Sequence, residues 1–328
     1  MTGRSVAAEY DALLGRPSMD MQWKEIGALQ RVSPLIPPPG TRLHVGFLDS
    51  EDMAMRVATV RAITQCGFVA VPIIAARRLE SERMLRDYLA ALRTVGGFGS
   101  VMVVGGDPAL PRGPYPDAGS VIGSGILDEH GVREVVVAGH PGGHPAVADG
   151  AVLWQALAGK VAALERRGLR GAIVTQFGFD PAQVLAWIAD LRAWGISVPV
   201  RVGVPGPASV RSTLANASRY GVAVSAPVAR EYGFSLGDLT GDAAPDRFIQ
   251  ALAAGYDAAP HGEVRLHFNT FGGITRTATW INRTRDRLAS QRLAQPQVVA
   301  AGVAEGRVAD AVGLVNGLLE DLHPGGAQ

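Results

Sequence analysis

The chain has 328 residues, 47% hydrophobic and 19% charged, with a formal net charge of +1. That balance suits one large core or two small ones and excludes a disordered or fibrous chain. Lysine and arginine are scattered rather than massed, which argues against a nucleic-acid stripe or a polybasic membrane anchor.

A single cysteine, Cys66, excludes an intramolecular disulfide framework and a cysteine-built metal site. Glu9, Asp11, Asp20 and Glu25 interrupt any signal-peptide core, and the longest apolar run, Phe68 to Ala76, is too short to span a bilayer. A soluble cytoplasmic protein without nucleic-acid or membrane partners is expected. Nothing in the pattern fixes an oligomeric state.

In chain order, residues 1–40 read as an extended N-terminal arm that ends in Ser33-Pro-Leu-Ile-Pro-Pro-Pro-Gly40. Three successive prolines fit neither a helix interior nor a central strand. From 41 to 328 the pattern becomes regular. Strands are predicted at Leu43–Leu48, Phe68–Ala75, Val101–Gly105, Glu134–Gly139, Gly171–Phe177, Val198–Val204, Val222–Ala226 and Val264–Phe268. Helices are predicted near Glu51–Gln65, Glu80–Val95, Ala148–Arg167, Pro181–Trp194, Pro207–Tyr220, Pro245–Asp257 and Ile274–Leu288, with Asp180 capping the fourth and Pro181 at its first position.

Near-continuous apolar strands alternating with amphipathic helices predict an α/β fold, a single-domain (β/α)8 TIM barrel over 41–328. No GxGxxG follows the first predicted strand, which counts against an open dinucleotide-binding sheet. In a barrel the functional residues sit at the carboxyl ends of the strands. Those ends are polar here: Asp49-Ser-Glu51-Asp52, Gly105-Gly106-Asp107-Pro108, His140-Pro-Gly-Gly-His144, Thr175-Gln176-Phe177, Gly203-Val-Pro-Gly206 and His267-Phe-Asn269-Thr270.

Each has two readings. Gln176, framed by Phe177 and Phe179, has the donors and acceptor to read a planar heterocycle, or it satisfies a loop carbonyl. Asp49, Glu51 and Asp52 face a ligand or cap the next helix. Asp107 binds a ligand or forms a turn. Glycines beside a charge let backbone approach a ligand closely. His140 and His144 flank glycines and prolines, not a helix face, and no third ligand stands at suitable spacing, so no metal is expected. His267, inside a strand, reads as a core histidine.

Val103-Val-Gly-Gly-Asp-Pro108, the His140-Pro and His144-Pro145 steps, Ile173-Val-Thr-Gln-Phe-Gly-Phe-Asp180, Val202-Gly-Val-Pro-Gly206 and His267-Phe-Asn-Thr270 appear in an order and spacing that resembles the methylenetetrahydrofolate reductase family. The resemblance covers about Phe68 to Leu288, and the T-Q-F-x-F-D segment is its most specific part. It implies NADH- or NADPH-dependent reduction of a tetrahydrofolate derivative, ordinarily through bound FAD. By position it assigns Asp107 to pterin and flavin, and Gln176, Phe177 and Asn269 to the folate. Gly106, His140, His144, Lys160 and Thr270 fall in its cofactor-binding segments, and Asp107, Gln176 and Glu51 are the candidate catalytic residues.

The departures are specific. The family's first strand reads S-F-E-F, and its glutamate protonates the folate. The nearest stretch is His44-Val-Gly-Phe47, with Gly46 in the glutamate's place. That leaves the acid missing or relocated, with His44, Asp49 and Glu51 the alternatives. Ile73 replaces a flavin-holding histidine, and Leu153 an acidic flavin contact. The chain also reads one βα unit short before Asp107. FAD binding is therefore expected to be weak or lost, with hydride passing directly from NADH. Two other readings remain, a folate-dependent methyltransferase and a catalytically silent folate-binding protein.

Overall fold

The computed structural model describes residues 5–36, 40–47, 52–96, 98–237 and 239–291. Eight parallel strands close into a barrel in the order β1-β10-β7-β6-β5-β4-β3-β2. They are β1 (Ser18–Met21), β2 (Arg42–Val45), β3 (Val69–Ala75), β4 (Ser100–Val104), β5 (Glu134–Gly139), β6 (Arg170–Thr175), β7 (Val200–Pro205) and β10 (Val264–Asn269). Two two-residue strands, β8 (Ala208–Ser209) and β9 (Asp242–Ala243), form a separate antiparallel ribbon. The (β/α)8 expectation holds.

The helices are α1 (Val6–Leu14), α2 (Ile26–Val32), α3 (Met53–Gln65), α4 (Glu82–Arg93), α5 (Ala118–Gly123), α6 (Ile126–Glu129), α7 (Gly150–Arg166), α8 (Pro181–Ala193), α9 (Val210–Arg219), α10 (Ala226–Tyr232), α11 (Asp246–Gly255) and α12 (Ala258–His261). A further helix begins at Ile274. Helices that follow strands start on side-chain caps: Asp52 accepts from the Met55 amide, Ser81 from Met84, and Asp180 from Ala182 and Gln183. Each cap satisfies amide donors that have no partner within the helix. Asp52 and Asp180 thus take the capping reading. Among the described residues no helix is long and apolar enough to cross a membrane.

Three expectations are corrected. Residues 1–40 are not merely an extended arm, because they contain α1, α2 and β1, which pairs with both β2 and β10 and closes the barrel. Leu13, Leu14, Met19 and Met21 are fully or almost fully buried, and each contributes on the order of 1.5–3 kcal/mol. The predicted strand Val222–Ala226 does not form; Ser225 instead caps α10. The chain also divides into two compact units after Asn282, so the barrel unit ends well before 328. Of the second unit, residues 283–291 are described and are helical.

The interior is asymmetric. On β3 to β6 it is apolar, with Val71, Met102, Val136, Ala172 and Val174 packed together. At the amino end Arg42 of β2 reaches across to Glu134 of β5 in a two-point ion pair. On β1, β2, β7 and β10 the inward positions nearer the carboxyl end include Ser18, Asp20, His44, Gly203, His267 and Asn269. The polar half therefore opens toward the carboxyl end, where a barrel binds its ligands.

Candidate functional site

β1 alternates Ser18, Met19, Asp20 and Met21, and because side chains point to alternate faces of a strand, the methionines lie under the helices while Ser18 and Asp20 face the lumen. In register Asp20 stands beside His44, and Ser18 beside His267. The His267 Nε2 lies 3.1 Å from Asp20 Oδ1, and the Asn269 Nδ2 donates to Asp20 Oδ2 at 2.8 Å. Ser18 Oγ lies 2.9 Å from His267 Nδ1. Thr270 donates to the Asp20 carbonyl at 3.0 Å, so it fastens β10 to β1.

The order of burial gives this row a direction. Ser18 and His267 are buried, at 0% and 3% exposure, while the Asp20 side chain is 35% exposed. Serine cannot meet a substrate there. The carboxylate can, with the His267 ring 3.1 Å behind it. His44 sits at 4.6 Å from the His267 ring. Burial above all, then the positive charge of His267, Arg201 and Arg42, holds His44 well below the usual imidazole range. Neither of its ring nitrogens, nor the Asn269 Oδ1, has a hydrogen-bond partner among the described residues.

Across the mouth, Gln176 follows β6 and donates from Nε2 to the Tyr220 carbonyl at 2.8 Å. The loop-carbonyl reading is thereby realised for one of its donors. Tyr220, which follows α9, is 46% exposed and lies in the field of both Asp20 and Asp107. Asp107 is held by Arg78 through two bonds of 2.8 and 2.7 Å, yet remains 71% exposed. The Arg78 guanidinium keeps its carboxyl below the usual range. Gly106 takes φ +89 in the same turn, a conformation that glycine adopts without strain.

Phe177 is a correction. Instead of framing a heterocycle, it is buried against Phe271, Tyr220 and Phe179 at ring separations of 5.0, 5.9 and 6.2 Å. Glu51 and Asp49 lie outside the described residues. The glycine expectation also changes at Gly203, because an added Cβ would stand 2.3 Å from the Thr175 carbonyl oxygen. The chain's own backbone makes that close approach.

His140 and His144 pack edge to face at 4.9 Å, and His144 Nδ1 accepts from the Ala146 amide at 3.2 Å. Burial chiefly, with His144 and Lys160 nearby, pushes His140 down to about 4. Below its ordinary value of 6.5 the unfolded chain takes up a proton that the folded chain refuses. Stability is therefore intact above about pH 6.5 and falls as the pH drops toward 4, by on the order of 3 kcal/mol from this group. In urea unfolding between about pH 7 and 4, His140→Gln is expected to show a flatter acid limb than the parent chain.

Lys160 is largely buried, donates to the Ala138 carbonyl at 3.4 Å, and has its pKa lowered by that burial. An anion would suit it. Where the resemblance would place a flavin-holding histidine, Ile73 packs against the apolar cluster and offers no hydrogen bond.

Two kinds of residue escape a reading of the sequence. Asp20 sits on a four-residue strand too short to signal itself, and Tyr220 reads as the end of a helix. His44 reads only as an acid, and His267 only as core. Spacing along the chain shows no third metal ligand, but Asp20, His44 and His267 bring three ligand atoms within 4.8 Å of one another.

No family model matches the chain. An uncharacterized protein from Clostridium thermocellum that binds two copies of 5-methyl-5,6,7,8-tetrahydrofolic acid has a similar structure, with TM-score 0.55 and 10% identity over 87% of this chain and 99% of that one. Dihydropteroate synthase from Thermus thermophilus gives TM-score 0.44 and 15% identity over 85% and 95%. Tryptophan synthase from M. tuberculosis gives 0.43 and 13% over 87% and 95%. At 10% identity, the first of these likenesses is one of fold.

Proposed function

We propose that the chain binds a tetrahydrofolate derivative at the carboxyl mouth of the barrel and reduces its methylene group with hydride taken directly from NADH or NADPH. One observation carries this reading. The first barrel strand is Ser18-Met-Asp-Met21, which repeats the serine, apolar, acid, apolar order of the S-F-E-F strand, and its acid faces the mouth with His267 and Asn269 bonded to it. Counting β1 also restores four strands before Asp107, so the unit missing from the sequence pattern is present.

In this reading Asp107 and Gln176 pair with the amino-pyrimidinone edge, where a carboxylate forms charge-assisted bonds, and the exposed Tyr220 ring offers a flat face. Asp20, sharing a proton with His267, gives that proton to the folate nitrogen so that the five-membered ring opens to an iminium. One hydride then converts the iminium to a methyl group. The protein's contribution is positioning and a timed proton. The folate-binding Clostridium thermocellum protein supports the ligand class through its similar barrel.

Purified chain should show no flavin absorption band, yet should oxidise NADH when methylenetetrahydrofolate is added without flavin. Tight folate binding with no oxidation would replace this reading with a binding-only protein. Turnover that tracks the bleaching of a bound flavin would overturn direct hydride transfer.

A further inference from the structure

We infer that Asp20, His44 and His267 form a binding site for one divalent first-row transition ion. The three come from β1, β2 and β10, which are neighbours around the barrel. Their ligand atoms already lie within 4.8 Å of one another. An ion held at ~2.0–2.1 Å in tetrahedral geometry needs its ligand atoms ~3.3 Å apart, and His267 Nε2 and Asp20 Oδ1 stand at 3.1 Å. Against the 4.8 Å that bounds the three atoms, His44 then has at most about 1.5 Å to close.

Two features distinguish this cluster from a packed trio of polar residues. First, His44 is fully buried and neither of its ring nitrogens has a hydrogen-bond partner among the described residues. A buried polar atom left unpaired costs free energy, and coordination would relieve that cost with the neutral imidazole nitrogen an ion requires.

Second, His267 is oriented from behind. Its Nδ1 meets Ser18 Oγ at 2.9 Å, and Ser18 also reaches the Leu266 carbonyl at 3.4 Å. When the serine proton goes to Leu266, His267 donates from Nδ1 and its Nε2 lone pair faces the Asp20 carboxylate. Only a proton or a cation between them makes that arrangement favourable. A hydrogen bond to the far nitrogen of a ligating histidine is the usual way of fixing its tautomer and ring plane.

The donor set selects the ion. Two imidazoles and a carboxylate suit Zn²⁺, Fe²⁺ or Co²⁺, whereas Mg²⁺ and Ca²⁺ take oxygen ligands. Three protein ligands leave a coordination position open, and Asp20 is the ligand that reaches the solvent-exposed mouth. The ion and the proton shared by Asp20 and His267 exclude each other. The inference does not rest on the folate reading, since ion binding is measured without folate.

The test uses the full chain without an affinity tag, stripped with a chelator and titrated with Zn²⁺ by calorimetry and with Co²⁺ by visible absorption. The expected result is one equivalent of each ion, with visible cobalt absorption of the kind a low-coordinate nitrogen and oxygen site gives. Asp20→Asn and His44→Leu should each abolish that absorption. The first is nearly isosteric and partly exposed, and the second removes unpaired polar atoms, so both are expected to fold, as circular dichroism would show. Ser18→Ala, which frees His267 Nδ1, should weaken affinity by roughly 10–100-fold.

His140→Ala with His144→Ala should leave binding unchanged. Absence of saturable binding in the parent chain would overturn the inference. So would one-equivalent binding that survives Asp20→Asn and His44→Leu, or that is lost only with the His140 and His144 pair.

Discussion

Asp20→Asn is expected to lower methylenetetrahydrofolate-dependent NADH oxidation by about 10²–10⁴-fold, the usual contribution of a positioned general acid. The amide keeps the shape of the carboxylate and still accepts from Asn269 Nδ2, which now bonds Asp20 Oδ2 at 2.8 Å. What it loses is the charge and the exchangeable proton opposite His267 Nε2. Folate binding, measured by fluorescence or calorimetry, should change little, so the loss should lie in kcat rather than KM. Asp20→Glu should restore part of the rate. Asp20→Ala should add a loss of stability of about 1–3 kcal/mol, because it strips a partner from buried donors. Full activity in Asp20→Asn would remove the proton role from this residue and with it the observation on which the proposed reaction rests.

Why Asp20 is hard to see in the sequence is a matter of length and context. A period-2 alternation over four residues gives almost no signal, and here it runs opposite to the ordinary pattern, with the polar side chains facing the barrel and the methionines facing the helices. The longer elements are legible because their apolar runs are long and their helices carry caps. Asp180-Pro181 marks the start of α8, and Gly171–Phe177 contains the whole of β6 apart from Arg170. At Val222–Ala226 a short alternation of valine and alanine mimics a strand, while Ser225 has a competing use as the cap of α10.

Site residues divide along the same line. Gln176, Asp107 and Asn269 stand at strand ends, where the barrel rule directs attention. The Asp20, His44 and His267 cluster joins residues far apart in the chain, with Asp20 and His267 separated by 247 in sequence, and only closure of β1 between β2 and β10 reveals it. Phe177 departs from the frame around Gln176 that the sequence suggests for a local reason: Gln176 turns toward Tyr220, and the next side chain is directed into the aromatic packing around Phe271.

Gly203→Ala is expected to cost about 1–3 kcal/mol or more, larger than most single-methyl additions, and to impair folate binding in the molecules that still fold. The Cβ would meet the Thr175 carbonyl oxygen at 2.3 Å, the Phe177 amide nitrogen at 2.8 Å and the Gln176 carbonyl carbon at 2.9 Å. All three are backbone atoms, so no rotamer change relieves the clash. The Gly203 amide also donates to Thr175 Oγ1 at 2.8 Å, which ties β7 to the same segment. Relief therefore requires the end of β6 to lift away from β7, carrying Gln176 away from Tyr220. Urea unfolding should show a lower midpoint with an unchanged slope, and calorimetry should show weaker folate binding at temperatures where the variant remains folded. Because Gly203 pairs in register with His267 on β10, it stands between the Gln176 side of the mouth and the row of Asp20 and His267. A variant with parental stability and undiminished folate affinity would mean that the end of β6 can shift without moving Gln176, which would separate the glutamine's position from its proposed role.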